Sequence, residues 1–77
     1  MVLMKLISNE NGNIRYSYQP EHDGEPGILA YDKSKNETII EKLAEKDGKS
    51  TFYRNHAFTM IRKTINNPPK EKTLIWY

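Results

Sequence analysis

Apolar and polar positions alternate at two different periods along the chain, and the change of period divides it into strands and a helix. From residue 53 the period is helical. Laid out at about 100° per residue, Tyr53, Ala57, Met60, Ile61, Thr64 and Ile65 fall on one stripe with Phe58 at its edge, and Asn55, Thr59, Arg62, Lys63 and Asn66 gather opposite. This predicts one long helix over 50–66 whose apolar stripe faces the core. Asp47-Gly48 breaks the chain upstream, and Ser50 is suited to accept a bond from an otherwise unpaired N–H of the first turn. At the other end Arg62 and Lys63 suit the negative end of the helix dipole, Asn66 or Asn67 suits a left-handed cap, and Pro68-Pro69 cannot continue the helix. Two residues break the pattern: Arg54 projects close to the apolar stripe, and Phe52 projects away from it.

Before the helix the period is two. Residues 2–8 and 13–19 flank Asn11-Gly12, a pair that accepts the positive φ of a tight primed turn, so they predict a hairpin. In its second strand Ile14, Tyr16 and Tyr18 alternate with Arg15, Ser17 and Gln19, the pattern of a sheet wet on one side. A two-residue turn places Ile7 opposite Tyr16 and Lys5 opposite Tyr18. Val2, Met4 and Leu6 then lie on the wet face. Either a partner covers that face, or a three-residue turn shifts the register and sets Met4 and Leu6 beside the tyrosines. Residues 20–27 contain two prolines, two glycines and three carboxylates and predict a loop leading to a third strand over 28–31.

Residues 32–36 make a polar turn. The next segment, 37–46, carries conflicting signals. Ile39, Ile40, Leu43 and Ala44 form a helical stripe among good helix formers. Thr38-Ile39-Ile40 is β-branched, and Glu37/Glu41/Glu45 and Lys42/Lys46 stack like charges four apart. The reading favours a short helix, with a further strand as its rival. Residues 73–77, TLIWY, predict a C-terminal strand paired inside the sheet. Together these elements give an α+β fold, an antiparallel sheet packed on one helix.

At 77 residues the chain has room for a single small α+β domain with one core. Without cysteine there is neither a disulfide nor a thiolate metal site, which leaves stability to packing or to a partner subunit, and the composition fits a cytoplasmic protein. The N-terminal run MVLMKLI is far shorter than a membrane span and is interrupted by Lys5; it reads as a strand. The net charge of +2 hides an uneven distribution. Residues 1–48 hold six basic against nine acidic side chains, net −3, and residues 49–77 hold six against one, net +5. An acidic layer and a basic helix that neutralise one another explain this more simply than a basic face for a polyanion.

Candidate chemistry is sparse. His22 stands among Glu21, Asp23 and Glu25, but a loop rich in glycine and proline does not hold a metal or catalytic geometry. His56 reads as a histidine at the border of the core. Asp32-Lys33-Ser34-Lys35-Asn36 begins like a calcium loop and then fails, with Glu37 where the sharp turn needs glycine and Leu43 where a glutamate should ligate. No glycine-rich phosphate cradle, nucleophile elbow or histidine pair at metal spacing appears. The sequence predicts no catalytic residue, no metal and no cofactor.

Two functional readings remain. In the first, Val2, Met4, Leu6, Phe52 and Trp76 exceed what one sheet face and one helix can cover, and they form an interface with a protein partner or with a second copy, by face packing or by joined edge strands. In the second, Arg15, Arg54, Arg62 and Lys63 contact phosphates while Tyr16 and Tyr18 stack on unpaired bases of a nucleic acid. The first is favoured, because so small a domain needs those tyrosines for its core.

Overall fold

The computed structural model of the chain describes residues 1–47 and 52–75. In chain order the elements are β1 (Val2–Glu10), β2 (Asn13–Pro20), β3 (Gly27–Asp32), β4 (Glu37–Lys42), α1 (Phe52–Lys63) and β5 (Glu71–Leu74). The strands form one antiparallel sheet ordered β4-β3-β2-β1-β5. The first four run as a meander, and α1 returns the chain so that β5 lies beside β1. The fold is the expected α+β arrangement of a sheet on one helix.

The hairpin turn is the two-residue one. Asn11 and Gly12 take φ of 52° and 80°, and Glu10 lies opposite Asn13. Nevertheless the strand faces are not those which that turn dictates. The register shifts between Leu6 and Ser8, with Ile7 as the extra residue, so that Leu6 meets Tyr16, Met4 meets Tyr18 and Val2 meets Pro20. This β-bulge achieves what a three-residue turn would have achieved, because one added residue moves every side chain before it to the other face. Val2 and Met4 therefore join Ile14, Tyr16 and Tyr18 in the core, all fully buried, and Leu6 packs at its margin. No apolar surplus is left on the wet face at these positions.

From α1 the core receives Ala57, Phe58, Met60 and Ile61, with Tyr53 and Ile65 partly buried against it. The stripe is the expected one, with Phe58 well inside it. The helix is shorter than the sequence pattern suggests, 12 residues ending at Lys63. Thr64 ends it: its hydroxyl and its N–H both donate to the Met60 carbonyl, at 2.8 and 3.1 Å, and the chain continues as a turn in which the Asn67 N–H donates to the Thr64 carbonyl. Neither Asn66 nor Asn67 has a positive φ, so the left-handed cap is not used. The expected cap at Ser50 lies outside the described residues.

Segment 37–46 is not a helix. Residues 37–42 pair with β3, Glu37 opposite Asp32 and Ile40 opposite Leu29. The turn that precedes them decides this. The Asp32 carboxylate accepts from the Ser34 N–H at 3.0 Å and the Ser34 hydroxyl at 2.7 Å, which lowers its pKa, and the Tyr31 hydroxyl donates to the Asn36 side chain. Asn36 takes φ of 53° and turns the chain back along β3. With the direction fixed, Thr38-Ile39-Ile40 follows its β-branched preference and the like charges avoid sharing a helical face.

The C-terminal strand begins earlier than expected, at Glu71, and lies at an edge of the sheet rather than inside it. Leu74 packs on the core, the Leu6 N–H donates to the Lys70 carbonyl at 2.8 Å, and the Tyr16 hydroxyl donates to the Pro69 carbonyl. A core tyrosine and a main-chain bond thus hold the linker between α1 and β5.

Candidate functional site

Of the residues proposed to stack on bases or grip phosphates, Tyr16, Tyr18 and Arg54 are engaged inside the fold, and Arg15, Arg62 and Lys63 stand at its surface. Tyr16 and Tyr18 are 0% exposed and present no ring face to solvent. The Tyr18 hydroxyl donates to Asp47 Oδ2 at 2.7 Å and accepts from the Ala44 N–H at 3.0 Å. Arg54 Nε lies 2.8 Å from the same carboxylate oxygen, and the Asp47 side chain is fully buried. This cluster is the polar centre of the fold, joining β2, the segment after β4 and the first turn of α1. The sequence marked Arg54 as an exception on the apolar stripe without identifying its partner, because Asp47 read only as a chain-breaking residue beside Gly48. An acidic residue seven before an arginine at the edge of a helix stripe was the available signal.

Burial pushes the Tyr18 phenol up from 10.0 to about 12, the Asp47 carboxylate adding to the shift and the Ala44 N–H opposing it. Because the folded state holds this proton more tightly than the unfolded chain, its contribution to stability is intact below pH 10 and is lost as pH rises through about 12. In an absorbance titration of the five tyrosines, Tyr18 should ionise late and together with unfolding, and Tyr16, whose phenol burial also pushes up, should follow the same transition. Tyr18→Phe should remove part of that late step and flatten the alkaline fall in stability; an unchanged alkaline limb would assign it to Tyr16 or another group.

Arg15 stands on the open face in a bidentate pair with Glu41, Nε to Oε2 at 2.9 Å and Nη2 to Oε1 at 2.8 Å, and its pKa is raised by that bond. Arg62 and Lys63 are exposed in the last turn of α1, and Lys70 and Lys72 are exposed beyond it. His22 is exposed in its loop and His56 is half-buried. Among the described residues no three His, Cys, Asp or Glu side chains gather where they could hold a metal ion, and no helix is long and apolar enough to cross a membrane.

The proposed interface residues also change place. Val2 and Met4 are inside the chain's own core and are removed from any surface a partner could touch. Leu6 is half-buried, and the Phe52 side chain and Trp76 lie outside the described residues. The exposed apolar residues among those described lie at both sides of the sheet: Met1, Ile7 and Ile75 around β1 and β5, and Ile39, Ile40 and Leu43 on and after β4. Every residue of β4 is exposed, and Ile39 and Ile40 are each 44% exposed, with Leu43 just beyond at 47%. Ile40 lies opposite the buried Leu29 and so stands on the helix side of the sheet; Ile39 lies opposite Ala30 and stands on the open side. Fully burying one isoleucine is worth about 1.5–3 kcal/mol, so each half-exposed one retains roughly 1 kcal/mol to gain.

The pattern is anchored from behind. The Arg15–Glu41 pair and a Lys42–Glu25 pair at 3.1 Å tie β4 to β2 and to the loop before β3. A register shift between Ile28 and Leu29 leaves Glu41 as an extra residue near the end of the strand. The opposite edge differs. β5 has four residues, its first two are the charged Glu71 and Lys72, and Pro68-Pro69 precede it. Short length, charge and nearby proline blunt a sheet edge, and β5 has all three. β4 is longer and also half charged, with Glu37, Glu41 and Lys42, but carries two neighbouring isoleucines within the strand, whereas the exposed isoleucine at the other edge, Ile75, follows β5.

Compared with protein-family models, with curated proteins and with solved structures, the chain matches none.

Proposed function

We propose that the protein is a small non-enzymatic interaction module of the cytoplasm that acts through protein contacts and associates with a second copy of itself. The observation that carries this reading is β4, a sheet-edge strand exposed along its whole length with an isoleucine on each face. An edge of this kind offers main-chain donors and acceptors in a row, and side chains on both faces gain contacts when another strand is added. The nucleic-acid reading keeps Arg62 and Lys63 but loses its stacking platform, because both tyrosine rings are enclosed.

Sedimentation of the purified chain with a pool of short single- and double-stranded nucleic acids, at low and high salt, separates the two. Self-association that ignores the nucleic acid and persists in high salt is expected. A chain that shifts with nucleic acid only at low salt, and loses that shift in an Arg62→Ala/Lys63→Ala variant, would transfer the function to the basic end of α1.

A further inference from the structure

We infer that the outer edge of β5 takes an extended acidic segment of a partner protein as a further antiparallel strand. This surface is separate from β4 and does not depend on the self-association proposed above.

The side-chain directions follow from the pairing with β1. Directly opposed residues share a face, and the fully buried Met4 and Val2, on the helix side of the sheet, lie opposite Lys72 and Leu74. Lys70, two residues before Lys72, shares that side. Both lysines are exposed, and neither forms an ion pair among the described residues. Arg15, Lys42, Lys46 and Arg54, by contrast, each face an acid of this chain. Glu71, the one acid from residue 49 onward, stands on the open side opposite Lys5. The helix side of this edge is therefore a run of unneutralised positive charge that ends on the half-buried Leu74.

The main chain adds a second requirement. The Leu6 N–H donates to the Lys70 carbonyl, so Lys70, Lys72 and Leu74 direct their main-chain groups to β1, and Glu71 and Thr73 direct theirs outward. Among the described residues no strand pairs with that outer side. Ile75 follows, 59% exposed and the most exposed of the large apolar side chains described.

A row of free N–H and C=O groups is matched by a polypeptide strand, whereas a nucleic-acid backbone has no such repeat. An antiparallel guest sets alternate side chains over Lys72 and Lys70, where carboxylates neutralise both. An apolar residue two positions before the first carboxylate covers Leu74, and its neighbour meets Ile75. Lysines on an edge deter strands in general. Here they select an acidic one.

The test is fluorescence anisotropy of the full chain with a labelled hexapeptide, Val-Ile-Thr-Glu-Thr-Glu. Beside it stand an analogue with glutamine for both glutamates, a form N-methylated at both threonines, and a six-nucleotide oligothymidylate. The peptide should bind, and each of the other three at least about tenfold more weakly. Lys70→Glu/Lys72→Glu should lose the peptide by a similar factor and melt like the wild type, because both side chains are exposed. A peptide that does not bind the wild type overturns the inference. Equal binding of the N-methylated form would reduce the edge to a charged patch without strand addition, and tighter binding of the oligothymidylate would give it to nucleic acid. Loss of self-association in the lysine variant would place a second copy there instead of a partner; each of these also overturns it.

Discussion

Replacing Arg54 by methionine is expected to remove a large share of the protein's stability at neutral pH, about 3–5 kcal/mol. The Asp47 side chain is fully buried, and the Arg54 guanidinium is the cation against it, 2.8 Å away. Methionine keeps most of the aliphatic stem and removes the charged group, so a carboxylate remains inside with the Tyr18 hydroxyl as its hydrogen-bond donor among the described residues. Removing one partner of a buried ion pair costs about 3–5 kcal/mol. A domain of this length has roughly 4–12 kcal/mol to lose. The check is urea denaturation followed by circular dichroism. A second substitution makes the cause explicit: Asp47→Asn in the Arg54→Met background should recover part of the loss, because an amide still accepts from Tyr18 and needs no counter-charge. A single Arg54→Met variant as stable as the wild type would mean that the carboxylate is not held by this pair.

Gly27→Ala should be nearly as damaging, for a steric reason. A Cβ at Gly27 would lie 2.4 Å from the Ala44 nitrogen, 2.4 Å from a Tyr18 ring carbon and 2.5 Å from the Lys42 carbonyl oxygen. Two of these are main-chain atoms and cannot rotate away. Overpacking a core costs about 1–3 kcal/mol, and backbone overlap of this depth should reach about 3 kcal/mol or more. The comparison is Gly12→Ala, where φ is +80° but the nearest atom to the new Cβ is 3.8 Å away. That variant carries only the conformational penalty, about 1–2 kcal/mol. Equal losses in the two would show that β3 can move away from the Lys42–Ala44 backbone.

Gly27 and Arg54 act on the same place. The glycine lets the chain after β4 approach the Tyr18 ring, and that approach sets the Ala44 N–H on the Tyr18 hydroxyl and Asp47 beside Arg54. The end of β4 is thereby fixed to the core while its outer edge stays open. The strand can present Ile39 and Ile40 without fraying because its inner side is secured by these contacts and by the Arg15–Glu41 pair.

Much of the fold was legible where a local cause acts alone. Asn11-Gly12 specified its turn, and Ala57, Met60 and Ile61 specified the buried side of α1. The hairpin register was not, because the bulge at Ile7 answers to the burial of Met4 and Val2 rather than to any turn residue. Segment 37–46 carried helical and extended signals of similar weight, and its pairing with β3 across the turn held by Asp32 and Asn36 chose between them. The candidate site was displaced for a related reason. Surplus apolar residues were assigned to the surface at Val2 and Met4, but the bulge draws these two inside, and the isoleucines counted toward a helix stripe become the exposed edge.

Self-association is the centre of this account, and the mass of the unmodified chain in solution as a function of concentration tests it most directly. Sedimentation equilibrium at high salt should show the weight-average mass rising with concentration toward twice the 9.0 kDa of one chain and levelling there, as a closed pair requires. A mass that stays at one chain at every concentration would contradict it.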